Sequence, residues 1–583
     1  MAYQMTVTLT DQEYAALTEE ANKRGTQPEE VLHEIMVQHL SSATPAKRPL
    51  TDQEFMEKLY REGKILNLPE PRPLTPEEQA ERERIAQVFA GGKPLSEMII
   101  EDRDTFISTF RKYVGKGRFE NTGVTTMYFK QIVKEDLGCA SYIVGCTNAG
   151  VCAVVDPRLD MVDDILEMAA AKEMRVAAVI ETHNHADHIS GHGEIARRTG
   201  APIYVHEQAG AAYPHEDLKD GDELHFGVAK LRVIHTPGHR PEHIALAVSD
   251  TSRCEDPWLV LTGDSLFIGD VARPDLAVQS EEGANALYDS IFNRLLKLED
   301  GVEVYPAHVA GSLCGRGMNP KTSSTIGFER KHNPAIAPRQ RETFIHDINE
   351  NLPQRPPNML KIVERNCGDY THDTAPPVPV ALGAESFQRE MHAGAQVIDT
   401  RSPQEFGEGH IPGALQVYLR GSAFATRVGF IVPLESRLLL VVKNERDLRE
   451  AAAQLAVVGY DQVTGYLDGG MQAWQGAGLP AQYLEQITVD ELHAQHDTFT
   501  VLDVRDQGEW DEGHIAGAVH LPYYLLEQRL QDLDSRRPLA VTCASGQRSS
   551  LACSILQRHG FTELCNVVGG MEAWSRQGFK EEM

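Results

Sequence analysis

Four side chains that can bind a metal ion lie within six residues, in the segment VIETHNHADHISG. They are His183, His185, Asp187 and His188. The apolar run VAAVI precedes them and is typical of a buried strand, so we expect the motif on a loop at a strand's carboxyl end. Imidazole and carboxylate groups suit ions such as zinc and iron. The spacing therefore predicts a metal centre.

Three further candidates follow other apolar runs. They are His239 in HTPGH, Asp264 in LTGD and His308 in YPAH. Loops at the carboxyl ends of strands converge in stacked α/β layers, so we expect these residues to join the first four in one site. Isolated histidines are expected at surface or structural positions instead: His215, His225 and His243.

Two segments near the C-terminal end repeat one another. IDTRSPQEFGEGHIPGA at 398–414 matches LDVRDQGEWDEGHIAGA at 502–518, and DGGMQAW further on matches VGGMEAW. Two matches in the same order indicate duplication of a whole α/β domain. We call the copies the first repeat, expected over 378–482, and the second repeat, expected over 484–583.

The second repeat contains VTCASGQRSS, in which a short loop separates Cys543 from Arg548. Such a loop aims backbone N–H groups at one sulfur, and the helix expected after it adds its positive end. Arg548 supplies a permanent charge for a thiolate or a bound oxyanion. We expect Cys543 to be a nucleophile, whereas Cys553 and Cys565 are expected to be buried and inert.

The first repeat has no cysteine at the corresponding place. Cys543 lies 26 residues before Gly569, and 26 residues before Gly469 is Lys443, within VVKNERD. Sulfur transfer through a cysteine persulfide needs a thiolate there. We therefore expect the first repeat to be inactive and to serve as a spacer or docking surface.

Composition and charge indicate a cytoplasmic multidomain protein. The chain has 583 residues, a net charge of −29 and nine cysteines. The charge argues against broad binding to nucleic acid or anionic lipid, and scattered cysteines suit a reducing compartment. The sequence has no apolar run of about 18 residues, so we expect no membrane span. Acidic residues near the start argue against an export signal.

The remaining segments are an N-terminal module and linkers. Residues 1–44 have a strand–helix–helix pattern that resembles ribbon-helix-helix DNA-binding modules, which act as dimers. The strand offers Gln4, Thr6 and Thr8 but no Arg or Lys. We favour a dimerisation or docking role over DNA binding, and we expect a homo-oligomer. Residues 45–122 are interpreted as a linker and helix, and residues 350–378 as a Pro-rich linker.

The metal motif resembles that of the metallo-β-lactamase superfamily over residues 123–352. The resemblance implies an αβ/βα sandwich and two alternative metal sites. A dinuclear site would activate water for hydrolysis. In it, one metal is held by His183, His185 and His239, the other by Asp187, His188 and His308, and Asp264 bridges the two.

The second alternative is a mononuclear site that resembles that of persulfide dioxygenases, which carry one iron. It implies ligation by His183, His239 and Asp264, an arrangement that suits Fe(II) and O₂ chemistry. The remaining motif residues would then hydrogen-bond to ligands and water: His185, Asp187, His188 and His308. The seven residues alone do not decide between the two uses.

The repeats resemble rhodanese domains, inactive in the first and active in the second. The whole order resembles bacterial persulfide dioxygenase–sulfurtransferases, and TPGHRPEH and AGSLCGRGM look like segments of that group. The resemblance implies sulfide detoxification, with one Fe(II) per chain and with a thiol persulfide, O₂ and sulfite as substrates.

The persulfide would be oxidised to sulfite, and Cys543 would pass sulfur to sulfite, giving thiosulfate. Cys314 would line the substrate channel or be transiently persulfidated. Arg273 would line it too or form a structural ion pair, which we favour. The alternatives are a dinuclear thioester hydrolase of glyoxalase II type and a sulfur-responsive DNA-binding protein.

Overall fold

The described part of the chain begins with a layered domain, here called the sandwich domain. The computed structural model describes residues 126–582, apart from 135, 311, 313, 338, 351, 353, 369–377, 535 and 536. The expected N-terminal module (1–44) and the linker after it (45–122) lie outside the described residues. Both remain predictions.

Two sheets face each other in the sandwich domain. Their strands are β1 (Met127–Lys134), β2 (Cys139–Cys146), β3 (Val151–Val155), β4 (Arg175–Ile180), β5 (Ile203–His206), β6 (Glu216–Leu218), β7 (Glu223–Phe226), β8 (Ala229–His235), β9 (Ile244–Asp250), β10 (Leu259–Gly263), β11 (Leu266–Phe267), β12 (Asp270–Val271), β13 (Glu303–Pro306) and β14 (Ser324–Thr325). The first sheet has the order β1-β2-β3-β4-β5-β6 and the second β14-β13-β10-β9-β8-β7, while β11 and β12 form a hairpin.

Helices cover the outer faces of both sheets. They are α1 (Val162–Ala171), α2 (His192–Thr199), α3 (Ser280–Asn293), α4 (Ile326–His332) and α5 (Arg341–Asn349). A sixth helix, α6 (Met359–Cys367), packs on a strand-end loop and on the first repeat instead of on a sheet. One apolar core lies between the sheets, a second joins α1 and α2 to the first sheet, and a third joins α3 and α5 to the second sheet. This layering confirms the expected αβ/βα sandwich.

Helix α6 lies within the segment interpreted as a Pro-rich linker, so that interpretation is wrong for these residues. Prolines flank the helix, but MLKIVERNC between them buries Met359, Ile362 and Asn366, which share one helical face. The described helices after residue 324 pack on neighbouring elements and form no separate helical domain.

The two repeats have the same topology. The first contains β15 (Val380–Leu382), α7 (Ala384–His392), β16 (Gln396–Asp399), α8 (Pro403–Gly407), β17 (Leu415–Gln416), α9 (Phe424–Ile431), β18 (Leu438–Val441), α10 (Glu445–Val457), β19 (Val463–Leu467) and α11 (Gly470–Gly476). Its sheet has the order β15-β19-β18-β16-β17, and all these strand pairs are parallel.

The second repeat contains β20 (Glu485–Ile487), α12 (Val489–Ala494), β21 (Thr500–Asp503), α13 (Gln507–Asp511), β22 (His514–Ile515), β23 (Val519–His520), α14 (Leu526–Arg529), β24 (Leu539–Thr542), α15 (Gln547–Arg558), β25 (Leu564–Val567), α16 (Gly570–Arg576) and β26 (Glu581–Glu582). The order β20-β25-β24-β21-β23 reproduces that of the first repeat, which confirms the duplication.

The repeats pack directly on each other. Strand β17 of the first repeat lies against α15 of the second, and the Gln416 backbone N–H donates to Ser554 Oγ at 3.1 Å. One apolar cluster includes residues of both repeats and of the sandwich domain. In the part of the chain that the structure describes, no helix is long and apolar enough to cross a membrane.

Candidate active sites

Three of the predicted ligands meet at the strand ends of the sandwich domain. His183 follows β4, His239 follows β8 and Asp264 follows β10. Asp264 Oδ2 lies 3.8 Å from His183 Nε2 and 3.5 Å from His239 Nε2. All three residues are buried, and these three atoms have no hydrogen-bond partner among the described residues. Buried polar atoms need a partner, and a metal ion at this point would supply it, so the residues fit a metal ion.

Both histidines are fixed through their other ring nitrogen. His183 Nδ1 lies 3.0 Å from Thr182 Oγ1, and His239 Nδ1 lies 3.0 Å from the backbone carbonyl of Arg273. The carbonyl can only accept, so His239 carries its proton on Nδ1 and keeps a lone pair on Nε2. Burial lowers the pKa of both imidazoles, which favours the neutral form that binds metals.

His243 holds the backbone of Asp264 in place. The Asp264 N–H donates to His243 Nε2 at 2.8 Å, and His243 Nδ1 lies 2.9 Å from Thr236 Oγ1. Burial lowers the pKa of His243 to about 3, which keeps Nε2 an acceptor. Gly263 has φ +52, and a Cβ there would lie 2.5 Å from His243 Nε2, so only glycine fits this turn. These contacts give His243 a structural role, which is one of the two positions expected for it.

His185 lies beside His183, with ring centroids 4.2 Å apart, but its Nε2 faces two carboxylates. Its Nε2 lies 3.3 Å from Asp156 Oδ1 and 3.2 Å from Glu181 Oε2. Burial alone would lower the pKa of His185, but hydrogen bonds to the two carboxylates raise it. Burial alone would likewise raise the pKa of Glu181, but hydrogen bonds from His185 and His192 lower it to about 2. No motif in the sequence marks Asp156, Glu181 or His192.

His308 bridges two carboxylates. Its Nδ1 lies 2.7 Å from Asp264 Oδ1, and its Nε2 lies 2.7 Å from Asp187 Oδ2. The charges of Asp187 and Asp264 raise its pKa against the effect of burial. His308 therefore connects the group of His183, His239 and Asp264 to Asp187.

A second group of ligand-type atoms lies beside the first. It contains Cys139, Asp187, His188 and His308, whose ligand atoms lie within 4.8 Å of one another. Cys139 begins β2 and was not predicted, because a cysteine at a strand start has no spacing signal in the sequence. The geometry thus offers a second metal position, and the dinuclear alternative stays open.

Cys314 and Arg273 lie next to the candidate metal ligands. Cys314 is buried near Asp264 and His308, and burial raises the pKa of its thiol. The guanidinium of Arg273 donates to both oxygens of Asp275, at 2.7 and 3.0 Å, which agrees with the structural ion pair that we favoured. A place for Cys314 in a substrate channel remains a prediction.

Helix α6 and the first repeat donate and accept hydrogen bonds to the backbone of residues 183–190, here called the metal loop. The Asn366 amide donates to the backbone carbonyls of His185, at 2.9 Å, and His188, at 2.8 Å, and accepts from the Ser190 N–H at 2.9 Å. The Ile189 N–H donates to the Val457 carbonyl at 2.7 Å. No motif in the sequence marks these contacts.

The sulfur of Cys543 lies in the expected loop, between β24 and α15. The Gly546 N–H donates to Cys543 Sγ at 3.2 Å, and Ser549 Oγ lies 3.4 Å from it. Ser549 in turn donates to Asn566 Oδ1 at 2.6 Å. The loop thus aims one backbone donor at the sulfur, as the sequence indicated.

Arg548 faces carboxylates. Its guanidinium donates to both oxygens of Glu509, each at 2.6 Å, and to Asp506 at 3.1 Å. Burial would lower the pKa of Arg548, but the Glu509 contact raises it. The side chain is therefore charged, and its charge is already balanced within the second repeat.

Strand register corrects the residue that matches Cys543 in the first repeat. Asp399 pairs with Val441, as Asp503 pairs with Thr542, so the next residue, Val442, matches Cys543. Counting back 26 residues from Gly469 gave Lys443 because the spacing differs between the repeats. In the first repeat the loop after β18 is shorter, α10 is longer than α15, and a register shift interrupts the pairing of β18 with β19. Valine has no nucleophile, so the expected inactivity still follows. Lys443 pairs with Glu405 at 2.8 Å.

Comparison with protein families assigns each domain. Residues 135–308 match the metallo-beta-lactamase superfamily, and residues 383–477 and 488–577 match the rhodanese-like domain. The chain combines a metallo-beta-lactamase domain with two rhodanese-like domains. The sandwich domain is the former, and the two repeats are the latter.

Several known proteins resemble parts of this chain. A metallo-beta-lactamase from Staphylococcus aureus is 28% identical with a TM-score of 0.53, and the match covers 58% of this chain and 98% of that one. A mitochondrial persulfide dioxygenase of Bos taurus is 26% identical over 246 residues, covering 42% of this chain and 89% of the relative. A hydroxyacylglutathione hydrolase of a Polaromonas species is 33% identical over 171 residues, covering 29% of this chain and 61% of the relative.

Proposed function

We propose that the chain oxidises a low-molecular-weight thiol persulfide with O₂ and then makes thiosulfate by sulfur transfer. The observation that carries the proposal is that the ligand atoms of His183, His239 and Asp264 form one group, whereas Nε2 of the neighbouring His185 faces Asp156 and Glu181. Two histidines and one carboxylate on one side of an ion suit Fe(II). The similarity to a persulfide dioxygenase supports the same assignment.

The three residues would hold one Fe(II) per chain. Bound there, iron would supply the redox chemistry with O₂ that protein side chains lack. The balanced reaction is R–S–S⁻ + O₂ + H₂O → R–SH + SO₃²⁻ + H⁺. The persulfide is oxidised at its outer sulfur, O₂ is reduced, and the S–S bond breaks to release the thiol.

The side chains around these ligands position them and handle charge. Neutral imidazoles at His183 and His239 present lone pairs, while Asp264 supplies the negative charge of the group. His308 ties Asp264 to Asp187 and fixes the carboxylate orientation. Both imidazoles and the carboxylate are fully buried, so bulk water is kept from the reacting group.

Cys543 would carry sulfur in the second step. Its thiolate takes the outer sulfur of a persulfide, the S–S bond of the donor breaks, and the donor thiol leaves. Sulfite then attacks the outer sulfur of the cysteine persulfide, which releases thiosulfate and restores the thiolate. The Gly546 N–H, 3.2 Å from Sγ, stabilises negative charge on that sulfur. We place the reaction in the cytoplasm, since free thiols suit a reducing compartment.

A thioester hydrolase is the second candidate. The group of Cys139, Asp187, His188 and His308 favours it, because a second metal there would create a dinuclear site. The similarity to a hydroxyacylglutathione hydrolase supports the same alternative. This enzyme would consume no oxygen.

Metal analysis and oxygen uptake on one preparation test the two candidates. The chain is purified without oxygen, its metals are quantified, and glutathione persulfide or S-lactoylglutathione is added. One iron per chain and oxygen consumption with the persulfide support the proposal. Two metals per chain with thioester hydrolysis and no oxygen consumption would establish the alternative.

A further inference from the structure

An arginine of the first repeat contacts the segment 543–548 of the second repeat, here called the cysteine loop. Arg427 lies on α9, and its Nη1 donates to the side-chain oxygen of Gln547 at 3.1 Å. Gln547 stands between Cys543 and Arg548 in the sequence of the loop. The catalytically inactive repeat thus places a cation against the sulfur-transfer site of its neighbour.

The contact is close and well packed. A Cβ on Gly421 would lie 2.2 Å from Gln547 Oε1, so the chain before α9 touches this side chain with no space left. Phe430 of α9 stacks on Tyr524 with ring centroids 5.1 Å apart and meets Tyr523 edge-on at 5.9 Å. Packing of this kind fixes the position of α9 relative to the loop.

Arg427 differs from Arg548 in its charge balance. Arg548 is paired with Glu509 and Asp506. Within the described residues, no carboxylate lies within 4.0 Å of Arg427, and its Nη2 donates to the hydroxyl of Ser422 at 3.0 Å. Burial lowers the pKa of Arg427, and the nearby charge of Arg548 lowers it further. The unbalanced positive charge beside the cysteine loop therefore belongs to Arg427, whose side chain is partly buried.

We propose that Arg427 is a specificity-determining residue for sulfur transfer and favours a small oxyanion, of the sulfite type, as the sulfur acceptor. The inference rests on the sulfur-transfer step proposed for Cys543. In that step a doubly charged oxyanion attacks the outer sulfur of a cysteine persulfide, the S–S bond breaks, and the electron pair returns to Cys543 Sγ. Two negatively charged groups must meet, and an unpaired guanidinium reduces their repulsion.

Acceptor charge provides the test. Sulfur transfer from glutathione persulfide is measured with sulfite, a dianion, and separately with dithiothreitol, which attacks as a singly charged thiolate. The proteins compared are the wild type, Arg427→Gln, Arg427→Lys and Arg420→Gln. Arg420 is a matched control, since it precedes the same helix and pairs with Asp447 and Glu450 at the surface. We expect Arg427→Gln to raise the KM for sulfite about tenfold, which corresponds to ~1.4 kcal/mol. Its rate with dithiothreitol and the values for Arg420→Gln should stay near wild type.

Arg427→Lys keeps the charge without the guanidinium fork, so it should recover much of the sulfite KM. If the Gln variant does not fold, Arg427→Met, assayed in the same way, carries the test, because it keeps the apolar length of the side chain without its charge. An unchanged sulfite KM in Arg427→Gln, or equal losses with sulfite and dithiothreitol in both variants, would overturn the inference. A wild-type chain without sulfur transfer would instead overturn the proposed function, and the inference with it.

Discussion

In the candidate metal centre, one polar atom of each proposed ligand lies at hydrogen-bond distance from a neighbouring residue. A second polar atom of the same side chain has no such partner among the described residues. His239 is held through Nδ1 and Asp264 through Oδ1, while His239 Nε2 and Asp264 Oδ2 stay without hydrogen-bond partners among the described residues. His183 has the same arrangement, with Thr182 at its Nδ1. Fixing one atom orients the other, so little rearrangement is needed to bind an ion.

This geometry predicts how single substitutions change iron content. His183→Ala, His239→Ala and Asp264→Ala should each lose the iron, since two remaining protein ligands are too few to retain Fe(II). His308→Ala should keep much of the iron, because His308 contacts Asp264 without belonging to the three-atom group. The measurement is iron per chain after anaerobic purification.

His215→Ala is the matched control for these variants, since His215 pairs with Asp217 away from the group and should keep wild-type iron. Two metals per chain, with loss of one of them in His308→Ala, would contradict the mononuclear assignment.

Ligand-type residues were predictable because their types and spacing form a motif. The contacts that orient them were not, because Thr182, Asp156 and His243 act through hydrogen bonds that only the folded chain creates. Arg273 orients His239 through its backbone carbonyl, a group present in every residue. No sequence pattern distinguishes such a contact.

At the scale of elements, the loops after β4, β8 and β10 carry the proposed metal ligands, and α6 fixes the first of these loops by hydrogen bonds. Asn366 of α6 makes three hydrogen bonds to the backbone of the metal loop. The strands could be predicted from apolar runs, whereas the prolines around α6 pointed to a linker. A nine-residue helix with one buried face gives a weak periodic signal, and its position depends on the domain that it covers.

Asn366→Ala should therefore weaken the metal centre without touching a ligand side chain. It leaves the carbonyls of His185 and His188 and the Ser190 N–H buried without this partner. We expect a loss of about 2–4 kcal/mol in the stability of the sandwich domain and faster loss of iron to a chelator. Thermal unfolding and timed chelation measure the two effects.

Asn293→Ala serves as the control for the same substitution at an exposed helix end, where the amide donates to Asp289 at 2.7 Å. Its stability should stay within about 0.5 kcal/mol of wild type. Equal behaviour of the two variants would show that α6 does not support the loop.

At the scale of the whole described chain, the first repeat lies between the two sites. Its Val457 carbonyl accepts a hydrogen bond from Ile189 in the metal loop, and its Arg427 contacts Gln547 in the cysteine loop. The domain order was predictable from motifs, but these contacts were not, because they join residues far apart in sequence. A domain expected to be only a spacer or docking surface touches both sites.

The two sites should nevertheless be separable by mutation. Cys543→Ser keeps the side-chain size but replaces the thiol with a hydroxyl that does not ionise near neutral pH. No cysteine persulfide can form, so sulfur transfer should stop. The proposed iron ligands lie in the sandwich domain and remain intact, so oxygen uptake should continue and the product should shift from thiosulfate to sulfite. Oxygen, sulfite and thiosulfate are measured together with iron content.

Cys553→Ser provides the control, because Cys553 is a buried thiol on α15 outside the cysteine loop. If the variant folds, it should keep both activities.

Thiosulfate made at the wild-type rate by Cys543→Ser would exclude Cys543 as the sulfur carrier. Loss of oxygen uptake in Cys543→Ser at unchanged iron content would show that the sites act together. In that case the contacts of the first repeat with Ile189 and Gln547 are the physical connection through which the coupling would pass.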